Sequence, residues 1–221
     1  MSQPFPTDNP FLRGYYGPVN TEAQAANLPV TGEIPAGLCG TLYRNGPNPQ
    51  FAPRGPYHWF AGDGMIHGVR LEGGEAKWYR NRWVRGSAVC EALGEPKVPG
   101  AGVFGDVANT NVIGHAGRTL ALVEGGIAQY ELTDELDTVG VWDFCGTLPG
   151  GYSAHPKRDP ETGELHAVTY GMERGNTVQY SVIGVDGRAK RTVDITVHGS
   201  PMMHDFSLTE KHVVFYDLPV A

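Results

Sequence analysis

A hairpin motif recurs along this chain at a spacing of just under fifty residues, and that period limits the possible folds more than any other feature. The last copy is the sharpest. Pro201-Met-Met-His-Asp-Phe-Ser-Leu-Thr-Glu-Lys-His-Val-Val-Phe-Tyr-Asp-Leu-Pro219 reads as an apolar entry strand ending in His204, turn chemistry from Ser207 to Lys211, and a β-branched and aromatic strand from Val213 to Tyr216. The same plan appears in Ser153-Ala-His-Pro-Lys-Arg-Asp-Pro-Glu-Thr-Gly-Glu-Leu-His-Ala-Val-Thr-Tyr170, where His155 stands to His166–Tyr170 as His204 stands to His212–Tyr216. A weaker copy runs from Asn109 to Val123. Aligning the second strands at Thr119, Ala167 and Val213 gives offsets of 48 and then 46 residues. Units of this length, each with several short strands, predict the blades of a propeller rather than a sandwich. In that frame Thr110 takes the place held by His155 and His204 in the other units, so all three side chains are expected to point toward one central axis.

The rest of the chain agrees with an all-β fold. With 40% hydrophobic residues, 31 Gly and 17 Pro, the composition suits many short strands joined by tight turns. A net charge of −7 argues against a nucleic-acid footprint, which would need a basic stripe. No apolar run approaches the ~20 residues that a membrane-spanning helix needs. The first residues carry neither a basic segment nor an apolar one, so no signal peptide is expected. Cys39, Cys90 and Cys145, odd in number and widely spaced, read as buried thiols of a reducing compartment, and a cytoplasmic location is expected.

Residues 1–36, rich in Pro, Asn and Gly, are expected to form an irregular N-terminal arm with one short helix over Thr21–Asn27, and 37–221 a partial β-propeller. Strands are predicted at Thr41–Arg44, Tyr57–Phe60, Met65–Leu71 and Lys77–Trp83, with turns at Asp63-Gly64 and Gly73-Gly74. Gly86–Gly105 reads as a surface loop, and Thr162-Gly163 and Asp186-Gly187 as hairpin turns. About four blades are expected, so either the ring is a small one or the sequence stops part-way through it.

Among eight histidines, His155 and His204 stand out because they recur at matched places. Two imidazoles converging on an axis are ligands for Fe, Zn, Cu or Ni. A metal-bound imidazole hands its other N–H to a carboxylate, and Glu124, at the end of the first repeat's second strand, is the best placed acid. Asp205 should face away from His204, since neighbours on a strand alternate. Gly62-Asp-Gly-Met and Glu124-Gly-Gly precede no helix and so are not phosphate loops, and no nucleophile elbow is present.

Gly40-Thr-Leu-Tyr-Arg-Asn-Gly-Pro-Asn-Pro49, Trp59-Phe-Ala-Gly-Asp-Gly-Met-Ile-His67, Ala154-His-Pro-Lys157 and Pro201-Met-Met-His-Asp-Phe206 resemble the carotenoid cleavage oxygenases, from about residue 8 onward. The resemblance implies about the first half of a seven-bladed propeller with a non-haem ferrous ion, Fe(2+), on its axis. The metal would be held by four histidines, of which His155 and His204 are the first two. It also implies that Glu124 hydrogen-bonds an iron ligand, His204 being the favoured one. Thr110 becomes the candidate catalytic residue, crowding an otherwise open coordination position. Phe60 and Phe206 would lie by the substrate tunnel or beneath it. Stilbene-cleaving relatives carry a lysine before the glutamate, where this chain has Val123, which favours an apolar polyene, cleaved with O2, over a phenolic stilbene. The partners implied are the polyene, O2, a membrane touched peripherally and the missing C-terminal half. The rival from another class is an incomplete propeller that serves as a binding or scaffold module.

Overall fold

The computed structural model describes residues 5, 8–53, 55–102, 106–148, 151–199 and 202–218. Strands β1 (Ala23–Ala26), β2 (Gly40–Pro47), β3 (Gly64–Glu72) and β4 (Glu75–Trp83) form a first sheet in the order β1-β4-β3-β2. The second sheet follows chain order with β5 (Asn111–His115), β6 (Arg118–Leu122), β7 (Gln129–Leu132) and β8 (Thr138–Trp142). So does the third, with β9 (Lys157–Arg158), β10 (Leu165–Thr169), β11 (Thr177–Ile183) and β12 (Ala189–Thr196). A two-stranded hairpin, β13 (Phe206–Leu208) and β14 (Val213–Phe215), begins a fourth unit. Each of these pairings is antiparallel.

Period-two side-chain alternation makes these sheets stack. Leu120 and Leu122 of β6 pack toward Leu165, Ala167 and Ile183 of the third sheet, while Ala121 between them packs with Ile66 of the first and with Tyr130. In the same way Ala167 of β10 faces the second sheet, and Val168 joins Val178, Met203 and Phe206 against the last hairpin. Each fully buried Leu, Ile or Phe contributes roughly 1.5–3 kcal/mol. The outermost β12 has little to cover it and is largely exposed. Near the end of β2 Asn45 Nδ2 donates to the Asn111 carbonyl at 3.1 Å, and at the start of β5 Asn111 Nδ2 donates to the Ala154 carbonyl at 2.9 Å, stitching three successive units together.

Several expectations are corrected. Ala23–Ala26 is not helical but pairs with Trp78–Asn81 of β4 as the outer strand of the first sheet. A seven-residue helix is marginal in water, whereas the open edge of β4 offers a row of unpaired backbone groups. The segment expected as a strand around Tyr57–Phe60 makes a 3-10 turn at Trp59–Ala61, with the His58 side chain accepting from Phe60 N. Asp63-Gly64 makes no hairpin turn. Gly64 opens β3, and a Cβ there would lie 2.5 Å from the Val107 and Ala108 carbonyls, so glycine permits close backbone approach. Within Gly86–Gly105 a helix, α1 (Ser87–Leu93), buries Val89 and Cys90 and ends at Gly94 with φ 68°; residues 103–105 lie outside the described set. Of the thiols only Cys90 is buried. The entry strand of the last hairpin starts after His204 instead of ending there; Pro201 and residues 219–221 are not among those described. The repeat itself holds, with Glu164 rather than Ala167 in the place of Thr119 and Val213. Gly114 faces Thr119 and Leu208 faces Val213, but in the middle unit Asp159 bonds to Glu164.

At the junction of the second and third sheets His115, 6% exposed, donates from Nε2 to the Gly184 carbonyl at 2.8 Å. Its other nitrogen must then carry a lone pair, and it meets the Arg158 guanidinium at 3.4 Å. Burial, helped by Arg158 and opposed by the Gly184 bond and by Asp186, holds its pKa below the ordinary value of about 6.5. A depressed pKa means that the unfolded chain binds the proton more readily. The contribution is complete above about pH 6.5 and is lost as pH falls toward the lower folded pKa. His115→Gln should flatten this part of the stability–pH curve measured by urea denaturation between about pH 5 and 7.

Candidate metal centre

His155 lies two residues ahead of β9 and His204 two residues ahead of β13, so equivalent places in neighbouring units deliver both imidazoles to one spot. Their ring centroids are 4.3 Å apart with planes inclined at 60°. Glu124 comes from the unit before, two residues past β6. Its Oε1 contacts His204 Nδ1 and lies 3.7 Å from His155 Nε2. One donor atom from each of the three side chains falls within 4.8 Å of the others. Glu124 thus lies against both imidazoles.

The second carboxylate oxygen is also taken. Tyr170, just past β10, donates its hydroxyl to Glu124 Oε2 at 2.7 Å. Burial alone would raise the Glu124 pKa, but the contacts with His155 and Tyr170 and the nearby imidazoles outweigh it, leaving the carboxyl below its usual range. The Tyr170 phenol is driven up, first by burial and then by Glu124, so it remains a donor at neutral pH. Sequence reasoning assigned Tyr170 no role. The available signal was positional, since the second strands of two successive repeats each end beside a polar group, Glu124 in one and Tyr170 in the other.

Around this group, Lys157 and Asp205 form an ion pair at 2.7 Å between the segments that carry His155 and His204. Lys157 Nζ also lies 5.8 Å from the Phe206 ring centroid. Thr110, half-buried just before β5, gives its hydroxyl to Asn109 Oδ1 at 3.1 Å. Phe206 is a core residue between the third sheet and the last hairpin, whereas Phe60 is 63% exposed and stacked on Trp59. Val123 is buried, with its N–H bonded to the Gln129 side chain. Two other histidines are held by phenols, His67 by Tyr79 and His166 by Tyr180.

The three clustered side chains suit a divalent metal on two grounds. His155 Nε2 is buried without a hydrogen-bond partner, which is costly for a ring nitrogen unless a ligand takes it up. The donor set is nitrogen and oxygen with no thiolate, which fits Fe(II) as well as other first-row ions.

The profile of the retinal pigment epithelial membrane protein family matches residues 16–221. This chain belongs to that family, the carotenoid cleavage oxygenases. It is 63% identical to a carotenoid cleavage oxygenase of Mycobacterium tuberculosis over 97% of its own length and 44% of that protein's. It superposes on the lignostilbene dioxygenase of Pseudomonas brassicacearum with a TM-score of 0.85 at 33% identity, covering 97% of this chain and 48% of the other. The cobalt-substituted apocarotenoid oxygenase of Synechocystis gives a TM-score of 0.73 at 27% identity, over 90% of this chain and 47% of that one. The sheets are thus blades of a β-propeller, and the chain spans about half the length of the curated relatives it matches. Among the described residues no helix is long and apolar enough to cross a membrane.

Proposed function

We propose that this chain carries half of the centre of an Fe(II)-dependent dioxygenase that cleaves one C=C bond of a carotenoid or apocarotenoid. The reaction balances as R–CH=CH–R′ plus O2 giving two aldehydes, one oxygen atom in each. The observation that carries the reading is the meeting of His155, His204 and Glu124 around an orphaned imidazole nitrogen. His155 and His204 would hold the metal, joined by two histidines from the part of its relatives that this chain does not span. Iron supplies, when bound, the redox chemistry that makes O2 reactive toward an alkene. Glu124 holds the imidazole N–H and fixes the tautomer. Thr110 would limit access to the metal with its methyl group and hydroxyl. No side chain is required to move a proton, in keeping with a reaction that consumes none.

An apolar polyene suits Val123, which can neither bond nor ionise a phenol. A lipid-soluble substrate is drawn from a membrane, and the exposed rings of Tyr15, Tyr16 and Phe60 offer apolar area for peripheral contact from a cytoplasmic protein. The likeness to a lignostilbene dioxygenase favours a second reading, stilbene cleavage. Product analysis with β-apocarotenals and hydroxystilbenes, using the ring completed by its remaining half, should give aldehydes from the former; efficient cleavage of the stilbenes alone would reverse the assignment. Anaerobic Fe(II) titration of the present chain separates both readings from an inert scaffold, which would bind the metal no better than a chain without the two histidines.

A further inference from the structure

We infer that Tyr170 is a positioning residue for the metal centre, acting through Glu124 to hold His204 in the tautomer whose Nε2 lone pair is free for a metal. The inference rests on the metal-centre reading and extends it to a residue outside the three clustered side chains.

The argument follows the hydrogen atoms. Glu124 Oε2 accepts the Tyr170 hydroxyl at 2.7 Å, while Oε1 meets His204 Nδ1. A carboxylate gripped on one oxygen cannot turn about its terminal bond, so the other stays aimed at the imidazole. The Tyr170 hydroxyl is the donor in this bond, since a carboxylate oxygen has no hydrogen to give. Glu124 is therefore kept as an acceptor on both oxygens, and the nitrogen facing Oε1 must carry the proton. His204 is then protonated at Nδ1 and has its lone pair on Nε2, the form a metal requires.

Burial explains why this anchor matters. The Glu124 side chain is 18% exposed, whereas that of His204 is 61% exposed. The imidazole has little packing of its own to set its orientation, so the carboxylate must supply it. Tyr170 comes from the third sheet, Glu124 from the second and His204 from the last hairpin. The hydroxyl thus links three units across the point where they converge.

Tyr170→Phe keeps the ring and removes only the hydroxyl. In the metal-free protein, two-bond nitrogen–proton correlation spectra of the imidazoles should show His204 as the Nδ1–H form in the parent and a mixture of tautomers in Tyr170→Phe. Co(II) affinity should fall by about tenfold, the lower end of what loss of a ligand's supporting partner brings. In a Glu124→Gln background the same substitution should change affinity by less than about twofold, because the group it acts through is already altered. An unchanged His204 tautomer in Tyr170→Phe would overturn the inference, as would a full tenfold loss persisting in the Glu124→Gln background. Should the tautomer shift while the parent binds no Co(II), the positioning role stands and the metal-centre reading falls.

Discussion

Replacing His204 by alanine is expected to weaken Fe(II) or Co(II) binding at least about 100-fold, since losing even a ligand's outer partner costs 10–100-fold. The fold should survive, because the His204 side chain is 61% exposed and little packs on it. A loss of about 1 kcal/mol in unfolding free energy is expected, because the Glu124 carboxylate loses a partner. His155→Ala should also abolish binding, but at some cost to the fold, since the His155 side chain is only 26% exposed. Equilibrium titration under nitrogen, paired with urea denaturation, reads both effects. Stoichiometric metal bound by His204→Ala with parental affinity would remove that residue from the centre.

Gly151→Ala is expected to be the most damaging single methyl group near the site. A Cβ on Gly151 would fall 1.8 Å from the Gly126 carbonyl oxygen and 2.0 Å from its carbon. Both obstacles are backbone, so no rotamer change relieves them. Gly125 and Gly126, with φ of 72° and 73°, form the turn directly after Glu124, and Gly151 lies four residues before His155. Whichever loop yields carries one member of the cluster with it. A loss of about 3 kcal/mol in stability is expected from such overpacking, together with weaker Co(II) binding. Gly117→Ala is the control. Its φ is 72° but nothing lies within 4 Å of the added carbon, so only backbone strain of about 1–2 kcal/mol applies and metal affinity should not move. Equal stability of Gly151→Ala and parent would show that the two loops do not pack as described.

The blade period and the equivalence of His155 with His204 were legible because they are local. A strand's alternation and a turn's glycine are encoded within a few residues, and each unit repeats them. Glu124 was legible by a different route, as the acid that chain order puts at the end of an inner strand. The shift of three residues in the middle repeat was not legible, since β9 has only two residues and the longer Asp159–Glu164 turn sets its register. Side-chain pattern alone fixes little in so short a strand.

What the amino-acid order determined by itself was the sequence of hairpins and the matched histidines, because period-two patterning and turn chemistry act over neighbouring residues. Tertiary structure alone decided that Ala23–Ala26 joins β4 and that Tyr170 grips Glu124. Both depend on groups more than forty residues apart, brought together by the stacking of one sheet on the next. A free sheet edge captures whatever extended segment reaches it, and a buried carboxylate takes the donor that packing places beside it.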